Sequence, residues 1–207
     1  NTGDWATDEV TDMRSMFNGA VLANPDVSDW KTGKVADMSQ MFSDAESANP
    51  DVSGWNLENT VTIAGLFRNS GSVDVDVSGW NTSSVEDMSY AFAGLTEADP
   101  NVRDWDLSNA ENIEGMFSGC TIANPDVSRW NTASVENMAG VFGYTENASP
   151  DVSDWTTAQV KNISGIFREA LGAQPNVSDW DTSRVTNMSW MFASSGIDPD
   201  VSDWNTS

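Results

Sequence analysis

Apolar and polar positions recur along this chain with a spacing of 25 residues. Within each copy, phenylalanine follows a tryptophan after twelve residues, and methionine or isoleucine follows it after eight. Such a period indicates a tandem array in which each unit packs only on its neighbours. Eight copies start near these tryptophans: Trp5, Trp30, Trp55, Trp80, Trp105, Trp130, Trp155 and Trp180.

Each copy predicts one short strand and one short helical turn. Segments such as Pro150–Trp155 start with a proline, which is typical of a turn or of the beginning of a strand. In Val85–Phe92 the apolar positions follow the order i, i+3, i+6 and i+7, which predicts one face of a two-turn helix. The repeat therefore predicts an α/β solenoid, in which short strands of successive coils form a stacked parallel sheet.

The array predicts a single domain over residues 1–207. The chain begins with Gly3-Asp4-Trp5 and ends with Ser202-Asp203-Trp204, so both ends fall inside a repeat. Terminal repeats of a complete array are normally atypical caps. We therefore expect this chain to be a segment of a longer array.

One motif resembles a known repeat family. The order Val-x-x-Met-x-x-Met/Ala-Phe, followed by Pro-Asp-Val-Ser-x-Trp, is similar to the 25–26-residue bacterial surface protein repeat of the BspA-like leucine-rich-repeat proteins. The best matches are residues 80–92, 130–142 and 180–192. The resemblance implies a leucine-rich-repeat-like coil stack and a secreted or surface-anchored protein that acts in adhesion. It implies no catalytic residues.

Charge and composition narrow the function further. The net charge is −23, from 32 acidic and 9 basic residues, which disfavours binding to nucleic acid and to anionic membranes. The sequence contains no run of 18 apolar residues, so it does not predict a segment that inserts into a membrane. The chain has no histidine and one cysteine, Cys120, and its carboxylates recur as a scaffold feature would. These observations predict that the chain is not an enzyme.

One column of aspartates leaves two interpretations open. Each carboxylate could accept hydrogen bonds within its own Pro-Asp turn, or stacked carboxylates could hold calcium between coils, since calcium prefers oxygen ligands. We therefore expect no cofactor other than calcium. The candidate calcium ligands are Asp26, Asp51, Asp76, Asp126, Asp151 and Asp200.

Two aromatic residues stand outside the regular columns. Tyr90 and Trp190 occupy a position at which the other copies carry glycine or a polar residue. An exposed aromatic side chain there suits a contact with a protein or a carbohydrate, whereas the alternative is a surface ring that packs on its neighbour. Tyr90 and Trp190 are therefore the candidate binding residues.

Two classes of function follow. The first is a non-enzymatic adhesion or recognition module at the cell surface or outside the cell, with a protein or glycan ligand. The second is a structural spacer or filament subunit, in which neighbouring copies stack end to end through open edges. A flat face that binds ice or mineral is a third hypothesis, from the partial threonine column Thr7, Thr32, Thr82, Thr132, Thr157 and Thr182.

Overall fold

The computed structural model describes residues 2–71 and 73–205. Within these two ranges the chain forms no helix and no strand longer than a single bridge residue. Turns alternate with short irregular segments, and successive repeats stack as coils, which we number 1 to 8 from their tryptophans. Seven isolated parallel bridges join neighbouring coils in the order Asp12, Asp37, Thr62, Asp87, Asn112, Asn137, Asn162 and Asn187.

The predicted helical turn is absent because successive backbone amides in this stretch bond alternately to the next coil and to their own coil. Tyr90 donates its amide hydrogen to the carbonyl of Glu114 in the next coil at 2.7 Å, whereas Ala91 donates to Met88 in its own coil at 3.2 Å. Tyr90 also has a φ of 55°, in the left-handed region that interrupts a right-handed helix. The stretch is thus a series of turns, whose bonds to the next coil replace helical bonds.

The predicted strand is also absent. At the end of coil 6, Ser153 donates its amide hydrogen to the Asp151 carboxylate at 3.2 Å, and Trp155, which begins coil 7, donates to the carbonyl of Val152 at 3.2 Å. These local bonds bend the Pro-Asp-Val-Ser segment into a turn, so its amides do not pair with the adjacent coil. The predicted α/β solenoid, with leucine-rich-repeat-like coils and a stacked parallel sheet, is therefore wrong for this chain.

Aromatic ladders form the core between coils. The tryptophans from Trp30 to Trp180 are 2–4% exposed, and the phenylalanines from Phe42 to Phe167 are fully buried. Trp80 stacks on Trp55 with ring centroids 6.2 Å apart, and Phe117 stacks on Phe92 at 5.8 Å. The repeated tryptophans are thus core residues, as offset stacking of buried rings favours.

Each buried indole also donates to a backbone carbonyl 28 residues earlier in the chain. The Trp80 Nε1 donates to the carbonyl of Val52 at 3.0 Å, and Trp130 donates in the same way to Val102 at 2.9 Å. A buried indole N–H without an acceptor would be destabilising. The ladder therefore ties each coil to earlier ones through packing and hydrogen bonds.

The threonine column belongs to this interior and is 1–5% exposed. The Thr132 hydroxyl donates to the carbonyl of Thr156 at 3.0 Å and accepts the Thr156 amide hydrogen at 2.8 Å. Leu57 and Leu107, fully buried, take the same place in coils 3 and 5. Because these side chains face the core, the hypothesis of an ice-binding threonine face is wrong.

Candidate functional site

One side of the stack carries side chains that differ between coils. We call it the turn face, and it consists of the positions aligned with Ser89, Tyr90, Ala93 and Gly94 at intervals of 25 residues. Two of these positions, those of Tyr90 and Gly94, have positive φ in all eight coils. Left-handed backbone favours glycine but does not exclude side chains. The turn face can therefore carry either a bare backbone or a projecting group.

A groove forms where three consecutive coils carry glycine at the Tyr90 position. Gly115, Gly140 and Gly165 lie between Tyr90 in coil 4 and Trp190 in coil 8. The depression has a volume of about 250 Å³ and is open to solvent. We call it the glycine groove, and its lining residues are Tyr90, Glu114, Gly115, Ser118, Ala139, Gly140, Tyr144, Ser164, Gly165, Arg168, Ser189 and Trp190.

Tyr90 forms one end of the glycine groove. Its ring lies so close over Gly115 that a Cβ at this glycine would overlap with the ring. Its hydroxyl donates to Glu114, which also accepts a bond from the Asn137 amide at 2.8 Å. Partial burial and this carboxylate raise the pKa of Tyr90 to about 12, so the hydroxyl is neutral at physiological pH.

Arg168 and two exposed rings form the other end. The Arg168 guanidinium carbon lies 5.0 Å from the centroid of the Tyr144 ring and 5.2 Å from that of Trp190, which is cation–π geometry. The guanidinium also lies 3.5 Å from the Glu169 carboxylate. Tyr144 and Trp190 remain 46% and 64% exposed. Aromatic surface is thus held in place and still open to a ligand.

The groove contains both predicted binding residues, four coils apart. Tyr90 packs on Gly115, whereas Trp190 lies against Arg168 and is 64% exposed. Sequence reasoning missed Tyr144, Arg168 and the three glycines. The run of glycine in coils 5 to 7 was a usable signal, since an aromatic on each side of it predicts a depression.

The aspartate column makes local bonds. In coil 6 the Ser153 hydroxyl donates to the Asp151 Oδ1 at 2.7 Å, and the same arrangement holds at Asp26, Asp51, Asp76 and Asp126. At Asp200 the Ser202 amide donates at 3.1 Å. The described residues contain no group of three or more acidic or cysteine side chains placed to hold a metal ion. Calcium binding therefore stays a prediction.

Hydrogen bonds from serine affect the pKa of five carboxyl groups in this column. They lower the pKa of the carboxyl groups below the usual value of 3.8, because the charged form accepts these bonds best. The serine side chain is the largest contribution at each of Asp51, Asp76, Asp126, Asp151 and Asp200. These five carboxyl groups are thus ionised at neutral pH without help from a cation.

Cys120 is not a nucleophile in this structure. The side chain is fully buried, and its Sγ lies 3.1 Å from the carbonyl of Phe92. Burial raises the pKa of the thiol to about 12, so the reactive thiolate is scarce at neutral pH. Ser70 occupies the same position in coil 3 and bonds to the carbonyl of Phe42, which indicates a packing role for the column.

The fold and groove define a tandem-repeat protein with a variable face. The chain belongs to the family described as "Mycoplasma protein of unknown function, DUF285", which matches residues 1–101 and again residues 86–204. The double match confirms the tandem repeats. No curated protein and no solved structure matches the chain. The described residues include no helix long and apolar enough to span a membrane.

Proposed function

We propose that this chain is a non-enzymatic recognition module of a surface protein, which acts outside the cell by adhesion to a protein or glycan. The observation that carries the proposal is the exposure of large apolar side chains on one side of the stack. Tyr144, Leu171 and Trp190 are exposed there, and Tyr144 and Leu171 line a second depression next to the glycine groove. Exposed apolar clusters of this kind mark interaction sites.

The sequence motif and the charge support a location at the surface. The order Val-x-x-Met followed by Pro-Asp-Val-Ser-x-Trp resembles the bacterial surface protein repeat, and membership of the BspA-like surface proteins is part of this proposal. The net charge of −23 favours solubility and disfavours binding to anionic polymers. A stack held by buried ladders gives the exposed rings a rigid support, which lowers the entropy lost on binding.

Adhesion of coated beads tests this function. Beads that carry the chain should bind to surfaces coated with extracellular matrix protein or with glycans, and Trp190→Ser should reduce the bound fraction several-fold. Leu22→Ser is the matched control, because Leu22 is 88% exposed but lies in coil 1, outside the glycine groove. Equal loss in both variants, or no adhesion by the original chain, would overturn the proposal.

A structural spacer or filament subunit is the second candidate, and the repeated pairing from coil to coil favours it. Coil 1 presents the carbonyls of Asp12, Arg14 and Met16 without partners among the described residues, and coil 8 presents the amides of Met188, Trp190 and Phe192 likewise. Every coil between them pairs these same positions with its neighbour. Each coil thus donates these amides to the next coil in a head-to-tail arrangement, and such an arrangement can continue without closure.

Sedimentation over a range of concentrations tests the filament. Head-to-tail stacking predicts growing assemblies, which Met16→Arg should weaken because Met16 is exposed on coil 1. Ile122→Arg adds the same charge in coil 5, away from the end coils, and should leave assembly unchanged because Ile122 is also exposed. A chain that stays monomeric at every concentration would exclude this role.

A further inference from the structure

We propose that the glycine groove binds an uncharged oligosaccharide, laid along the stack between Tyr90 and Trp190. This inference rests on the proposed function and names the class of ligand. It begins from the dimensions of the groove. Four steps from coil 4 to coil 8, at about 4.8 Å per coil, give a length of about 19 Å between Tyr90 and Trp190. That length suits a short oligosaccharide better than a single sugar.

The groove offers both kinds of contact that a sugar needs. The C–H faces of a sugar ring stack on aromatic rings, and Tyr144 and Trp190 leave ring surface exposed at one end. The hydroxyls of Ser118 and Ser164 line the groove and have no hydrogen-bond partner among the described residues. Apolar platforms next to unpaired hydroxyls match the alternating apolar and polar surface of a sugar.

The floor of the groove disfavours a peptide. A peptide that binds as an added strand needs free backbone groups to pair with. Gly140 donates to the carbonyl of Ser164 at 2.8 Å and accepts from Gly143 at 3.0 Å, and Gly165 donates to Ser189 at 2.8 Å and accepts from Arg168 at 3.0 Å. Both glycines have already used their amide and carbonyl groups, so the ligand must bind through faces and side chains.

The local charge disfavours an anionic glycan. Arg168 is the one basic residue in the lining, and it already contacts Glu169 at 3.5 Å. Glu114 lies in the groove as well, on a chain of net charge −23. The field around the groove therefore repels sulfated or carboxylated sugars, whereas an uncharged sugar binds without this cost.

Filling the groove provides a direct variant. A Cβ added at Gly140 would meet nothing within 4 Å, so a side chain there would project into the space that the ligand needs. Gln40 shows that glutamine is accommodated at this position of a coil, with a φ of 56° against 63° at Gly140. Gly19→Gln is the matched control, since Gly19 has a φ of 67° and equally open surroundings outside the groove.

Isothermal titration with neutral oligomers of glucose, mannose and N-acetylglucosamine tests the proposal on the folded chain. We expect at least one series to bind with an affinity that rises with length and is independent of salt concentration. Gly140→Gln and Trp190→Ala should each weaken binding at least about tenfold, equivalent to about 1.4 kcal/mol. Gly19→Gln should bind as the original chain does.

Parallel titrations separate failure of this inference from failure of the recognition function. A sulfated glycan or a peptide that binds more tightly than every neutral oligomer, and is blocked by Gly140→Gln, would overturn the inference while supporting recognition. Bead adhesion that persists in Gly140→Gln would exclude the groove as the site. Absence of both oligosaccharide binding and bead adhesion would overturn both proposals.

Discussion

Single side chains replace regular secondary structure in joining one coil to the next. Thr132 bonds to both the amide and the carbonyl of Thr156, and Asp and Asn side chains at the bridge positions accept the amide two residues later, as Asp87 does from Ser89 at 2.9 Å. These bonds satisfy backbone groups that neither a helix nor a sheet provides for. Short oxygen-bearing side chains are therefore structural residues throughout this chain.

Replacing Thr132 with valine tests this role. The variant keeps the shape but leaves the Thr156 amide and carbonyl without their partner, and an unsatisfied buried group costs about 1–3 kcal/mol. We expect Thr132→Val to lower the free energy of unfolding by about 2 kcal/mol in denaturant titration. Thr132→Ser keeps the hydroxyl and should lose less. Equal loss in the two variants would show that the hydroxyl is not the important group.

The ionisation of Tyr90 tests the geometry at one end of the groove. Its pKa is raised to about 12, so its contribution to stability is complete below about pH 10 and is lost as the pH rises towards 12. Glu114→Gln should lower the pKa of Tyr90 towards 10. Part of the rise should persist, because burial of Tyr90 is its larger cause. Ultraviolet titration of a Tyr144→Phe background isolates Tyr90. A Tyr90 pKa near 10 in that background would contradict the geometry.

The melting temperature, measured with a chelator and with calcium, tests whether the aspartate column binds calcium. Because Asp151 and its equivalents bond to their own serines, we expect the melting temperature to be unchanged by a chelator. A calcium-dependent rise in melting temperature would instead establish calcium binding. Asp51→Asn and Asp76→Asn together should abolish such a rise if this column holds the ion. Asn101 and Asn176 show that the position accepts asparagine.

At the scale of the element, the coil is a series of turns rather than a strand joined to a helix. The apolar columns could be predicted from the sequence, because burial of tryptophan, phenylalanine and methionine depends only on their period. The series of turns could not be predicted in the same way, because successive turns place apolar residues at spacings similar to those of a helix. Gly65, Gly115, Gly140 and Gly165 in the middle of the supposed helix were evidence against it.

Truncation of the tryptophan ladder tests the coil-to-coil packing. Trp80 stacks on Trp55 and Trp105 and donates to Val52, so Trp80→Ala should lower the free energy of unfolding by about 3–5 kcal/mol. Trp5 stacks on one neighbour, Trp30, and is 49% exposed, so Trp5→Ala should cost much less. Denaturant unfolding compares the two variants, and similar losses would contradict the ladder.

At the scale of the whole molecule, the candidate site is assembled from residues up to 100 positions apart, Tyr90 and Trp190. The sequence identified these two because they depart from their own column. It did not identify Tyr144 or Arg168, which belong to other columns and reach the groove only through stacking across coils. The buried aromatic ladders thus hold the coils in place, and the residues that differ from the repeat, such as Tyr90 and Trp190, form the candidate site.

The signals of the indole N–H groups give the most direct test that recognition occurs at the groove and not at the ladder. The ladder indoles from Trp30 to Trp204 are bonded to backbone carbonyls 27 or 28 residues earlier in the chain, whereas Trp190 is exposed and makes no such bond among the described residues. When a neutral oligosaccharide is titrated into the chain, nuclear magnetic resonance should show a shift of the Trp190 indole signal and unchanged ladder signals. Binding that shifts the ladder signals and leaves Trp190 unchanged would contradict the account.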